Sequence, residues 1–202
     1  VSTVPLLAAF LDDPFEPSPY APVSRLFWNE LYLDVTTIPE LQQCPSAQAI
    51  LESSSFQEEL RALRNQPLVD YRRQMALKRR VLEELSRCCF AEDSNRLRAL
   101  RRFADEHPVV QDYARFRAAG ERQRTPWPEW PAPLRDGVLK PGDYDEEVKR
   151  YYLYAQWLAF QRLQGLSEKG RDNGPGLCLD FPLGVHPYGY DVWRNQHLFI
   201  LE

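Results

Sequence analysis

Three histidines, four cysteines and a scatter of carboxylates are the groups in this 202-residue sequence that could do chemistry. His107, His186 and His197 stand in unrelated surroundings, and no H-E-x-x-H, G-x-S-x-G, Walker or G-x-G-x-x-G motif accompanies them. His186 and His197 with Asp191 could ligate a metal if the fold gathered them. A lone histidine in a Pro-Gly loop more often serves as a hydrogen-bonding loop residue, and the spacing predicts no bound metal. Cys44, Cys88, Cys89 and Cys178 form no C-x-x-C pair, and neighbours on one helix, such as Cys88 and Cys89, cannot easily bridge each other. They read as reduced and mostly buried thiols. What remains has the make-up of carbohydrate contact: Ser18-Pro19-Tyr20 in a stiff loop, Trp127 and Trp130 in another, and Asp180 closing a short apolar run beside the loop from His186 to Trp193. Flat rings take the C–H faces of sugars, and carboxylates take their hydroxyls. A Trp between prolines also works as an internal staple of its own loop, and the residues alone leave both readings open.

These side chains need a scaffold, and the composition describes one made of helices and stiff loops. Apolar residues make up 44% and charged residues 27%, which excludes wholesale disorder. Proline is abundant at 17 residues and glycine scarce at 9, so the loops are rigid. Lys plus Arg is 25 against 29 Asp plus Glu, giving −4, which argues against general nucleic-acid binding. The charge is uneven, with 16 basic and 9 acidic residues from Arg61 to Arg124, but no recognition motif accompanies the excess and a solvated helical face explains it. No run reaches the ~18 apolar residues of a membrane span, and residues 1–11 lack a basic leader, so a cytoplasmic protein is expected.

Four helices are announced by their caps. Ser55 with Glu58 forms a capping box ahead of Phe56, Leu60 and Leu63. Asp70 caps a longer helix bearing Met75, Val81, Leu82, Leu85 and Cys89 on one face. Ser94 starts a third, with Leu97, Leu100 and Phe103, and Asp143 with Glu146 starts the strongest, which has Gly165 as a possible end. A further helix spans about 109–119 before Gly120, and extended segments are predicted at Leu31–Val35 and at Leu177–Phe181, the latter stopped by Pro182.

Two long stretches go further. The run from Ser18 to Val35, SPYAPVSRLFWNELYLDV, resembles the S-P-Y-S-P-x-S-R-x-x-x-N-x-x-Y-I-D-V segment of the amylomaltases, 4-alpha-glucanotransferases of the alpha-amylase clan. The run from Leu177 to Trp193, LCLDFPLGVHPYGYDVW, is similar to that family's third-strand segment, L-Y-x-D-L-P-V-G-V-H-P-D-G-x-D-V-W. The helix from Asp143 to Gln164 resembles the one the family places before that strand. Ala21, Tyr188 and Tyr190 depart from the pattern, which alters the rim near His186.

The resemblance implies a mainly α chain: a helical insertion subdomain with a few short strands, forming part of an incomplete (β/α)8 TIM barrel. Residues 1–45 would form a loop and extended segment of the active-site wall, 46–165 the helical subdomain, and 166–202 a barrel strand and its following loop. A whole barrel needs ~250 residues, so this chain is expected to be a portion of a larger enzyme and to lack the nucleophile and acid carboxylates. It would be inactive alone. Ser18, Tyr20, Asp180 and His186 would contact an alpha-1,4-glucan without a metal or organic cofactor, and the partners would be the glucan and the rest of the barrel, with neither nucleic acid nor membrane. The alternative is a non-catalytic helical module that binds glucan or a protein.

Overall fold

Asp70 accepts a hydrogen bond from the Arg73 N–H and so opens helix α3 (Tyr71–Ala91), whose Met75, Leu77, Val81, Leu82, Leu85 and Cys89 are buried along one stripe. A computed structural model describes residues 2–174 and 176–200. The chain separates into two compact units, residues 31–106 in one and residues 1–30 with 107–202 in the other. No helix among the described residues is long and apolar enough to cross a membrane.

The unit of residues 31–106 packs α1 (Pro45–Glu52), α2 (Ser54–Arg64) and α4 (Asn95–Glu106) around α3. Its entry differs from the extended segment predicted at Leu31–Val35. The chain there turns through 3-10 helices at Glu30–Tyr32 and Val35–Thr37, and the Asp34 carboxylate, accepting from both the N–H and the hydroxyl of Thr36, caps the second of them. The α2 cap is Ser53 rather than Ser55: its Oγ accepts from the Phe56 N–H. Ser94 does receive the Leu97 N–H, and Leu97, Leu100 and Phe103 are buried.

The cysteines correct the reduced-thiol reading. Cys44, the N-cap residue of α1, is disulfide-bonded to Cys88 on α3, with Cα atoms 6.0 Å apart. Cys88 is barred from its neighbour Cys89, but the packing of α1 on α3 delivers a distant thiol within the usual bridging range. Cys89 stays free and buried, its thiol pushed up to about 12 by desolvation, while Cys178 is free and exposed.

In the other unit, α5 (Pro108–Gln123) is followed by the single turn α6 (Ala132–Arg135) and lies against α7 (Glu146–Asn173), the most extensive helix pairing among the described residues. The α7 cap is Asp145, which accepts from the N–H groups of Glu147 and Val148. Asp143 sits two residues earlier and takes the Lys140 N–H instead. The helix runs past Gly165, since a glycine within a helix costs only ~1 kcal/mol and helix formers such as Leu166, Glu168 and Lys169 follow it. Likewise α5 passes Gly120 and ends at Arg124, whose φ of 57° supplies the left-handed terminus.

An aromatic core fills the space beneath. Phe27 stacks on Tyr113 at 4.0 Å, and Phe116 meets Trp193 of α8 (Tyr190–Arg194) at 5.0 Å. Arg117 is one of its buried charges, bonded to Asp12 and the hydroxyls of Tyr113 and Tyr152. Burial opposes its charge, but Tyr152, Tyr113, Asp12 and Glu30 outweigh that and raise its pKa. Strand β1 (Ser2–Thr3) pairs in parallel with β2 (Cys178–Leu179), so a mainly helical chain carries two short parallel strands.

Candidate functional site

Proline and side-chain acceptors shape the loop that holds Tyr20. Pro17, Pro19 and Pro22 restrict the backbone, the Glu16 carboxylate accepts from the Ser18 N–H at 2.9 Å, and Ser18 Oγ accepts from the Tyr20 N–H at 3.3 Å. Ser18 is thereby a turn-former. Tyr20 is left 52% exposed, and its hydroxyl donates to Asp180 Oδ2 at 2.8 Å across 160 residues of sequence. Asp180 sits just past β2, placed by its own N–H to the Thr3 carbonyl, while its Oδ1 accepts from the Phe181 N–H. That bond to the Asp180 carboxylate, and its charge, raise the Tyr20 phenol above its ordinary 10.0. A phenol ring and a carboxylate thus share one exposed ledge. The ring offers a face to sugar C–H groups and the carboxylate accepts hydroxyls.

A second set of bonds sews the two sequence stretches together. Asp191, buried on α8, accepts from Ser24 Oγ at 2.5 Å and from the Arg25 N–H at 2.9 Å. The His186 N–H donates to the Pro22 carbonyl, and Gly189 lies so close to Val23 that a Cβ there would be 2.4 Å from its carbonyl oxygen. Only glycine fits. Ser24 and Asp191 stand one in each of the two family-like stretches and carry no sign of their partnership. Nothing local to either residue marks a contact 167 positions away.

His186 is half-buried against Phe10, and its Nδ1 accepts from the Tyr188 N–H. Asp191 is committed to Ser24, His197 is exposed in a 3-10 turn, and among the described residues no group of three or more His, Cys, Asp or Glu is placed to hold a metal. Burial lowers the His186 pKa below 6.5, with Glu16 pulling the other way. A depressed imidazole makes the folded state the poorer proton binder, so its contribution to stability is full above about pH 6.5 and shrinks as the pH falls below that. Urea midpoints at pH 7.5 and 5.5 should therefore differ less in His186→Gln than in the parent sequence. Equal pH dependence in the two would place the titration elsewhere.

Trp127 and Trp130 are buried, and their indole N–H groups donate to the carbonyls of Pro187 and Thr125. They are staples of the proline-rich loop. The side chains that the structure brings together at the surface are therefore Tyr20 and Asp180, with Ser18 shaping the loop and His186 buttressing it.

Comparison with known proteins identifies the family. The 4-alpha-glucanotransferase family (glycoside hydrolase 77) matches residues 1–202, and the chain belongs to that family. The 4-alpha-glucanotransferase of Mycobacterium tuberculosis is 30% identical over 191 residues, which cover 91% of this chain and 26% of that protein. The one from Haemophilus influenzae is 27% identical, covering 92% and 29%. The amylomaltase of Corynebacterium glutamicum superposes with a TM-score of 0.72 at 27% identity, covering 97% of this chain and 27% of its own. The Streptococcus agalactiae amylomaltase, solved with acarbose, gives 0.77 over the whole chain and 39% of its own, and at 24% identity it shares the fold. The chain spans about a quarter to two fifths of the length of these relatives.

Proposed function

We propose that this chain is the portion of a 4-alpha-glucanotransferase that builds one wall of its glucan cleft, with the helical subdomain attached. The Tyr20–Asp180 pair carries this reading, because it puts one residue from each family-like stretch on a single exposed ledge. The activity belongs to the assembled enzyme: cleavage of an alpha-1,4-glucan, retention of the glucosyl group on a carboxylate, and its transfer to the 4-hydroxyl of another glucan. Retaining chemistry of this kind needs two carboxyl groups about 5–5.5 Å apart, one attacking and one protonating the leaving oxygen. The family places both outside the residues matched here. Tyr20 would stack on a donor sugar, Asp180 would orient a hydroxyl at the bond being cleaved, and Ser18 and His186 would hold the loops that present them. The remaining partner is the rest of the barrel, whose strands would extend the parallel pair of β1 and β2, since parallel sheets are stable when covered on both faces.

A cytoplasmic site of action goes with this reading. Cytosolic proteins rarely keep disulfides, so a thiol count on freshly lysed cells tests that assignment against the Cys44–Cys88 bridge. For the function itself, the chain incubated with maltotriose should release no glucose and build no longer glucan, while calorimetry with maltoheptaose should give a saturable heat. Glucose release by the chain alone would overturn the division of labour. Absence of any heat would leave a helical interaction module as the better description.

A further inference from the structure

We propose that Cys44 and Cys88 form a reversible thiol–disulfide site, opened at Cys88 by a dithiol, whose state sets how tightly α1 is held to α3. Access decides which sulfur of a disulfide is attacked. Cys44 is wholly buried as the N-cap residue of α1, whereas Cys88 is half-buried on α3 beside the exposed Arg87. An incoming thiolate therefore meets the Cys88 Sγ from the solvent side, and Cys44 is the leaving group on the inner side. The surroundings receive that leaving group. Ser46 Oγ lies 3.4 Å from the Cys44 Sγ, placed to donate to a thiolate, and the Glu84 carbonyl oxygen lies 3.6 Å from it, placed to accept from a thiol. The N-terminus of α1 also favours negative charge on the Cys44 sulfur.

In the first step a thiolate of the dithiol bonds to Cys88 Sγ as the Cys44–Cys88 bond breaks, and Cys44 leaves as a thiolate that takes a proton from water. The second thiolate of the dithiol then attacks the dithiol's own sulfur in this mixed disulfide and releases Cys88, which is protonated in turn. The bridge gains two electrons and two protons, and the dithiol loses them to become a disulfide. Cys89 does not compete as an internal attacker, because it is buried and its thiol, pushed up to about 12, stays protonated. The opened chain keeps its fold at 25 °C. Ala47 is buried, Gln48 Nε2 donates to the Leu41 carbonyl at 2.9 Å, and Glu40, in the 3-10 turn just ahead of α1, pairs with Arg96 at 2.7 Å. None of these contacts passes through the bridge. Reduction therefore loosens α1 against α3 and lowers the melting temperature without unfolding residues 31–106.

The test is reduction of the whole chain without denaturant, after oxidation with oxidised glutathione, read by alkylation and peptide mass. The two thiols are expected to appear together at a rate proportional to dithiothreitol concentration, about tenfold faster for tenfold more reductant, and to close again when oxidised glutathione is restored. A rate independent of reductant would mean that the bridge opens only after unfolding and would overturn the proposal, as would mapping that finds no Cys44–Cys88 link. With reduced glutathione and an alkylating trap in place of the dithiol, the glutathione adduct is expected on Cys88 and the alkyl group on Cys44. The reverse pattern would overturn the attack at Cys88. The surface change Ser46→Ala should slow reduction severalfold while hardly moving the melting temperature of the oxidised chain, and an unchanged rate would count against Cys44 as the leaving group. Amide hydrogen exchange in the reduced chain should quicken about tenfold or more at residues 46–52 and stay unchanged in α5 and α7. Exchange unaltered at residues 46–52, or raised throughout residues 31–106, would overturn the control of α1 and leave the bridge a plain staple.

Discussion

Replacing Asp191 with Ala is expected to destabilise the unit of residues 1–30 and 107–202 by about 2–4 kcal/mol, because it strands two buried or half-buried donors at once. The Ser24 hydroxyl and the Arg25 N–H both end on this carboxylate, and the same hydroxyl accepts from the Leu26 N–H. Water cannot easily replace the lost acceptor, since Ser24 is fully buried and Asp191 nearly so. Asp191→Asn keeps the shape and one acceptor oxygen, so it should cost less than the alanine. The damage should reach the ledge. With the Ser18–Arg25 loop released from α8, Tyr20 loses its fixed approach to Asp180, and its phenol should fall back toward an ordinary pKa in a spectrophotometric titration. A denaturation midpoint unchanged in Asp191→Ala would mean the two loops are held by packing alone.

The second large effect concerns the bridge from Cys44 to Cys88. It closes a loop across a sequence separation of 44, for which the chain-entropy treatment gives about 4 kcal/mol of stabilisation. Reduction, or Cys44→Ser with Cys88→Ser, should lower the melting temperature of residues 31–106 sharply, and non-reducing peptide mapping should show the linked pair. Alkylation of the native protein should label Cys178 quickly and Cys89 slowly, since Cys178 is exposed and the buried thiol of Cys89 has its pKa pushed up to about 12. Rapid labelling of Cys44 or Cys88 without reductant would contradict the bridge.

Local order was readable where local chemistry decides it. Asp70 and Ser94 cap the helices their positions announced, and the stripe from Met75 to Cys89 is buried because a period of 3.6 leaves that face no other place. Helix limits slipped where two residues compete for one role. Ser53 and Ser55, or Asp143 and Asp145, are equally good caps in isolation, and tertiary packing chose between them. The stretch Leu31–Val35 reads as an extended apolar segment, but the Asx turn at Asp34 starts a 3-10 helix inside it. The chemistry of Tyr20 and Asp180 was visible residue by residue. Their contact was not, and neither was the Ser24–Asp191 bond nor the Cys44–Cys88 pairing, because each joins positions whose own neighbourhoods carry no trace of the partner. For Trp127 and Trp130 the sequence left two uses open, and burial with bonded indole N–H groups settled on the staple.

The central claim is that Tyr20 and Asp180 face the glucan in a transferase assembled around this chain. It is tested most directly in the full-length enzyme, by measuring turnover of maltooligosaccharide transfer and melting temperature on the same preparations of Tyr20→Ala and Asp180→Asn. Both residues are exposed and hold no part of the core, so melting should hardly move. Loss of a preorganised contact to a sugar hydroxyl in the transition state should lower turnover by about 10²–10³-fold for Asp180→Asn. Unchanged turnover with a large fall in melting temperature would contradict the account, because it would mean that the pair only ties the Ser18–Arg25 loop to the end of β2.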